Sequence, residues 1–141
     1  MIVLPPLPFP PSVNTYYRSV KGRMLISARG RAYRNEVVGA VVKNGLVEQI
    51  LGPVKFSAVF HQPDKRKRDI DNLFKGLLDS LKYAGCYLDD SQVHHLDARW
   101  GRSGEGQPGS VAVILEVLEV PSIFPVILPA KTPKRTRKRA S

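Results

Sequence analysis

Cysteine is almost missing from this 141-residue chain: Cys86 stands alone. A lone thiol excludes an intrachain disulfide and a cluster of thiolate metal ligands, and leaves Cys86 as a small apolar residue. No apolar run reaches the roughly 20 residues that a bilayer helix needs. The most apolar region, 111–128, is interrupted by Glu116, Glu119, Pro121 and Pro125. Met1-Ile2-Val3-Leu4 lacks the charged leader of a signal peptide, and Pro5-Pro6 breaks it early. Internal repeats are absent too. These absences set the expectation of a cytoplasmic protein without a membrane partner.

Acidic residues are missing altogether from 121–141, where six Lys or Arg and four Pro stand instead. The formal net charge of +10 is therefore concentrated at one end. Excess positive charge points to a polyanion, nucleic acid above all. The composition change divides the chain into a domain over 1–120 and a flexible basic tail over 121–141. One domain of that length can bury a full core.

The spacing predicts an α+β domain, a mixed sheet packed by two main helices. Ile2 to Phe9 reads as a short edge strand confined by prolines. A turn-rich piece carrying Tyr16, Tyr17 and Arg18 follows, and Lys21-Gly22-Arg23 reads as a tight basic turn. Ser27 caps a helix to about Asn44, stopped by Gly45, with Tyr33, Val37, Ala40 and Val41 on one face. Its other face carries Arg29, Arg31 and Arg34, a pattern that usually means a solvated surface. Residues 53–61 alternate as a half-buried strand. A second such strand spans 93–100, a hairpin loop 101–109, and a third strand 110–120.

The most distinctive stretch is 61–93. Lys65, Arg66, Lys67 and Arg68 run directly into Asp69-Ile70-Asp71. Ile70, Leu73, Phe74, Leu77, Leu78 and Leu81 then form one helical stripe, stopped by Gly85. Asp69 stands where a helix cap belongs, and Asp71 lies four residues before Lys75, the spacing of an ordinary surface pair. A second acidic pair, Asp89-Asp90, follows.

An anionic pocket beside a cationic rim is suited to hold a divalent cation and a polyanion together. Phosphodiester hydrolysis needs an activated water and stabilisation of charge, and two carboxylate-held metal ions supply both. Mg²⁺ prefers hard oxygen ligands and keeps several waters, so Asp69, Asp71 and Asp90 suffice as ligands, with Mn²⁺ as the expected substitute. Lys75 would place a cation near the scissile phosphate or orient the water, and no small-molecule cofactor is implied.

Distance poses a difficulty. A helix from Ile70 to Ala84 is ~20 Å long. Asp90 therefore starts from the wrong end. Either the chain doubles back along its own helix, or Asp90 of a partner chain completes the site. His94 and His95 point to opposite faces of a strand and, with no second ligand spacing, read as surface or satisfied histidines. Asp64 and Asp79 read as solvated or paired.

Three blocks carry a resemblance: Pro10–Arg18, His61–Lys75 and Leu88–Val93. In order and spacing they resemble the RusA-type Holliday-junction resolvases. That resemblance implies a homodimeric, Mg²⁺-dependent endonuclease acting on four-way DNA in recombination and repair. It marks Asp69, Asp71 and Asp90 as the essential acids, Lys75 as the active-site lysine and Arg68 as a junction-binding cation. Arg18 and Lys65, Arg66 and Lys67 are expected to join the DNA contacts. It also ranks Asp90 above Asp89, which spacing alone does not. The stripe of the central helix and residues 111–118 are the candidate pairing surfaces. Two other readings fit the same residues: a non-catalytic DNA-binding module whose acids are structural, and a metal-dependent RNase or phosphodiesterase.

Overall fold

Strict alternation makes residues 54–61 the middle of a sheet. The computed structural model describes residues 1–45, 49–102 and 108–118. Its elements are β1 (Ile2–Val3), β2 (Leu7–Pro8), α1 (Val13–Tyr16), β3 (Tyr17–Val20), β4 (Arg23–Ile26), α2 (Ala28–Lys43), β5 (Val54–His61), α3 (Phe74–Tyr83), β6 (Val93–Trp100) and β7 (Ser110–Val117). Tight 3-10 turns at Ile70–Leu73 and Asp90–Gln92 precede α3 and β6.

The main sheet runs β1-β7-β5-β6, with β2 also pairing β7. β5 is antiparallel to β7 and parallel to β6. A parallel neighbour requires a crossover, and α3 lies in it. On β5, Val54, Phe56, Ala58 and Phe60 are buried while their alternates are half-buried. Val111, Val113 and Leu115 continue that inner face on β7. Against it pack Tyr33, Val37 and Val41 of α2 and Leu77 and Leu81 of α3, giving one two-layer core. Phe74, the first residue of α3, meets Phe60 and Phe56 edge-to-face at 5.3 and 6.3 Å, which fixes the start of that helix on the sheet.

The mixed sheet with two main helices agrees with the sequence. Ser27 accepts a hydrogen bond from the Gly30 amide as the cap of α2, and Gly45 and Gly85 take the left-handed backbone at the ends of the two helices. Four expectations need correction. The turn at Lys21-Gly22, both at positive φ, joins two real strands, β3 and β4, as a hairpin. Their exposed, charged sequence carries little alternation to reveal them. β6 and β7 do not form a hairpin, because β5 lies between them; residues 103–107 of the connection fall outside the described residues. The helix proper starts at Phe74 rather than Ile70, after a 3-10 turn closed by the Asn72 amide on the Asp69 carbonyl at 3.2 Å. Asp69 has extended backbone and makes no capping hydrogen bond, so its carboxylate is not spent on the helix end. The boundary at 120 and the basic tail lie outside the described residues. The two candidate pairing surfaces are largely consumed by the chain's own core, since Leu77, Leu81, Val111, Val113 and Leu115 are buried.

Candidate active site

With ten residues α3 is only ~15 Å long, which shortens the return journey to Asp90. The chain reverses at Gly85, where φ is +88°. The Cys86 amide bonds back to Leu81 O, and the Tyr87 hydroxyl donates to Leu78 O at 2.6 Å. Both bonds lay this segment against the helix it has just left. Asp89 then builds a capping box with Gln92 and pairs with Lys82 at 3.2 Å. The Asp-x-x-Gln spacing of that box was visible in the sequence as a capping signature. Hydrogen bonds from Ser91 and then from Lys82 hold the Asp89 carboxyl down at about 2, which marks it as a structural anion.

The result is that Asp90 Oδ2 sits 3.7 Å from Lys75 Nζ, in the first turn of α3. Between the two routes open from sequence, the chain doubles back along its own helix. The Lys75 partner is therefore Asp90; no Asp71–Lys75 ion pair occurs among the described residues. Asp90 Oδ1 is buried and has no hydrogen-bond partner. Burial raises the Asp90 pKa, an effect that Lys75 and then Lys82 oppose.

Asp71 and Lys75 line one side of an open groove of about 530 Å³, with Val13, Tyr17 and Met24 as its apolar wall. Asp69 lies in a neighbouring cavity with Arg68 and Asn72. Asp71, Lys75 and Asp90 are thus linked through Lys75, whereas Asp69 is apart. Among the described residues no three His, Cys, Asp or Glu side chains are grouped to hold a metal ion. His94 and His95 accordingly take no part in such a group, and Cys86 is buried, its pKa pushed up to about 11.

The remaining cations divide by role. Arg68 donates to both oxygens of Asp64, at 2.7 and 3.1 Å, and to Gln62 Oε1 at 3.1 Å. Asp64 is therefore paired, its pKa lowered to about 2 by the Arg68 hydrogen bond first and the Arg66 amide second. Lys65, Arg66 and Lys67 are exposed. Arg18, also exposed, lines a separate recess with Arg31.

Of the two readings of Asp79, solvated or paired, the fold shows the paired one. One turn beyond Lys75, Asp79 accepts a 2.5 Å hydrogen bond from the buried Tyr16 hydroxyl and adds negative charge beside Asp90 and Tyr17. The Lys75–Asp79 spacing was the available signal, though such pairs are too common to single out.

These donors suit a hard cation. An orphaned, buried carboxylate oxygen at Asp90 and a second carboxylate across Lys75 are the chemistry Mg²⁺ selects. Residues 8–115 match the family described as Endodeoxyribonuclease RusA. The chain belongs to that family. It is 50% identical over 88 residues to a crossover junction endodeoxyribonuclease RusA of Shigella sonnei (strain Ss046), covering 62% of this chain and 72% of the relative. Proteins of the same name in Escherichia coli (strain K12) and Enterobacteria phage 82 are each 49% identical over the same share of both chains.

A stability prediction follows from Asp90. Its folded pKa is raised, so the fold holds the proton more tightly than the unfolded chain does. Stability is then lost as pH rises through that pKa, and the ionised form is a cost at neutral pH. With divalent ions chelated, Asp90→Asn is expected to melt above wild type at pH 7. The gap should close below roughly pH 4, where the wild-type carboxyl is also neutral. Thermal melts across this range check it; a lower Tm for the variant at pH 7 contradicts it.

Proposed function

We infer that this chain is a structure-selective DNA endonuclease that resolves four-way junctions by paired, Mg²⁺-dependent phosphodiester hydrolysis in recombination and repair. The observation that carries the reading is the buried, unpartnered Oδ1 of Asp90, whose Oδ2 lies 3.7 Å from Lys75, a residue that lines a groove with Asp71. Asp71 and Asp90 would hold the metal, and Asp69 would join them on turning its side chain from the neighbouring cavity that it lines toward the groove. When bound, Mg²⁺ supplies charge neutralisation at the phosphate and lowers the pKa of a coordinated water.

The chain's own residues do the rest. Lys75 sits where its ammonium can neutralise a phosphate oxygen once Asp90 turns to a cation. Val13, Tyr17 and Met24 give the open groove an apolar side beside Asp71 and Lys75. Arg66 and Lys67 provide exposed charge for the DNA backbone, and the basic tail adds further phosphate contacts. Two cuts on opposed strands require two sites related by a two-fold axis, so the working form is a homodimer on branched DNA. No helix among the described residues is long and apolar enough to cross a membrane.

A synthetic four-way junction tests this reading. With Mg²⁺ or Mn²⁺ the wild-type protein is expected to release nicked duplexes by symmetric cuts, and to leave linear duplex and RNA hairpins intact. Binding without cutting under either ion would instead favour the non-catalytic module.

A further inference from the structure

Beside the groove lies a second cavity of about 520 Å³, a volume in the range that holds a nucleotide-sized ligand but far too small for a duplex. One wall is the basic run, Arg66 to Asp69; the opposite wall is the Pro10–Thr15 segment together with Arg29 of α2. Sequence alone assigned Arg29 to a solvated helix face. Arg29 is indeed exposed, and it also lines one cavity with Arg66, Lys67 and Arg68, so that cationic side chains outnumber the single carboxylate, Asp69, on the lining and suit an anion there.

The four cations are not equivalent. Arg68 is spent on Asp64 and Gln62, and its guanidinium lies 5.4 Å from the Phe9 ring centre, so it serves as a rigid wall. Arg66 makes only a 3.8 Å contact with Asp64 from a largely exposed side chain. Arg29 has no hydrogen bond or ion pair among the described residues, yet its backbone is fixed. The Ser27 hydroxyl, cap of α2, donates to Thr15 O at 2.5 Å and accepts from the Gly30 amide. That pair of bonds locks the first turn of α2, and Arg29 with it, to the Thr15 wall. Phe9, Pro10 and Pro11 give the cavity an apolar face on which a base can lie, and Asp69 stands on its lining.

We propose that this cavity takes one nucleotide of the cut strand, unstacked at the branch point, and that Arg29 is the positioning residue for its phosphate. The proposal rests on the nuclease reading above and adds a source of structural selectivity. A paired, stacked nucleotide must be torn from the duplex to enter, whereas one at a branch point is already loosened. The cavity therefore discriminates by the cost of unstacking rather than by sequence.

The test uses the full chain without divalent ions, on a four-way junction carrying 2-aminopurine at the branch point and on a linear duplex of equal length. Wild type should bind the junction more tightly and raise its fluorescence as the base leaves the stack. Arg29→Ala is expected to lose junction affinity about 5–10-fold and most of the fluorescence rise, with duplex affinity within about twofold and Tm unchanged. Arg29→Lys should recover part of both, and Lys43→Ala, the same charge loss at the far end of α2, should alter neither preference nor signal. Equal weakening on junction and duplex, or an unchanged fluorescence rise in Arg29→Ala, overturns the proposal. Cleavage with Mg²⁺ is scored separately. A wild type that never cuts sinks the nuclease reading, while the binding and fluorescence results still judge the cavity.

Discussion

Asp71→Asn is expected to slow junction cutting about 10³-fold, equivalent to ~4 kcal/mol of barrier, while junction affinity stays within about threefold. Asn keeps the size of Asp71 but cannot supply the anionic oxygen a hard cation requires. Because Asp71 is exposed and makes no ion pair or hydrogen bond among the described residues, the fold should not register the change. Asp90→Asn should be equally inactive. Mixing the two variants then locates the site. Asp90 reaches Lys75 within one chain, and Lys75 shares its groove with Asp71. Each variant therefore spoils its own chain's site, and the mixture should remain as inactive as either alone. Were Asp90 to serve the partner's Asp71, every heterodimer would contain one intact site, and random exchange would restore roughly a quarter of the wild-type sites. Recovery of that size in single-turnover nicking would overturn the in-chain arrangement.

The parts of the fold that were legible in the sequence are those where a period is repeated against a buried face. β5 alternates over eight residues, and α2 and α3 carry apolar faces that end at glycines with positive φ. The β3–β4 hairpin has neither advantage. Arg18, Arg23, Met24 and Leu25 are all exposed, and its identity rests on the Lys21-Gly22 turn. Strand order was hidden for a different reason. Sequence neighbours favour a β6–β7 hairpin, but burying β7 against β5 on one side and β1 and β2 on the other places more apolar surface inside. For the site, residue types singled out Asp69, Asp71, Lys75 and Asp90, of which the fold sets Lys75 3.7 Å from Asp90 and on one groove with Asp71. They did not reveal that Asp69 faces a different cavity, since a 3-10 turn and an α-helix have the same apolar signature over four residues. Nor could they reveal which cations are free: Arg68 and Arg66 look alike in sequence, and only geometry shows that Asp64 and Gln62 occupy the first.

Tyr16 ties these pieces together, and the largest stability effect should be found there. Its side chain is fully buried and its hydroxyl holds Asp79. Its carbonyl accepts from the Ser27 amide at 2.9 Å, binding the start of α2. Its ring meets Tyr17, which lines the groove with Asp71 and Lys75, at 4.8 Å between centroids. The same ring lies on Gly76, where an added Cβ would come within 2.7 Å of Cδ2 and 3.1 Å of Cγ. Tyr16→Ala is expected to cost about 3–5 kcal/mol, the range for emptying a large aromatic site. Gly76→Ala sets two effects against each other. Alanine in a helix gains up to ~1 kcal/mol over glycine. Overpacking a filled core costs about 1–3 kcal/mol. With an aromatic ring in the way the clash wins, and the net loss should be about 1–2 kcal/mol, or roughly 3–5 °C in Tm per kcal/mol. In a Tyr16→Ala background the obstacle is gone and only the helix gain remains, so the same Gly76→Ala change should become stabilising. A double-mutant cycle by thermal or urea unfolding decides the matter: if Gly76→Ala has the same sign and size in both backgrounds, the Tyr16 ring is not what keeps position 76 free of a side chain.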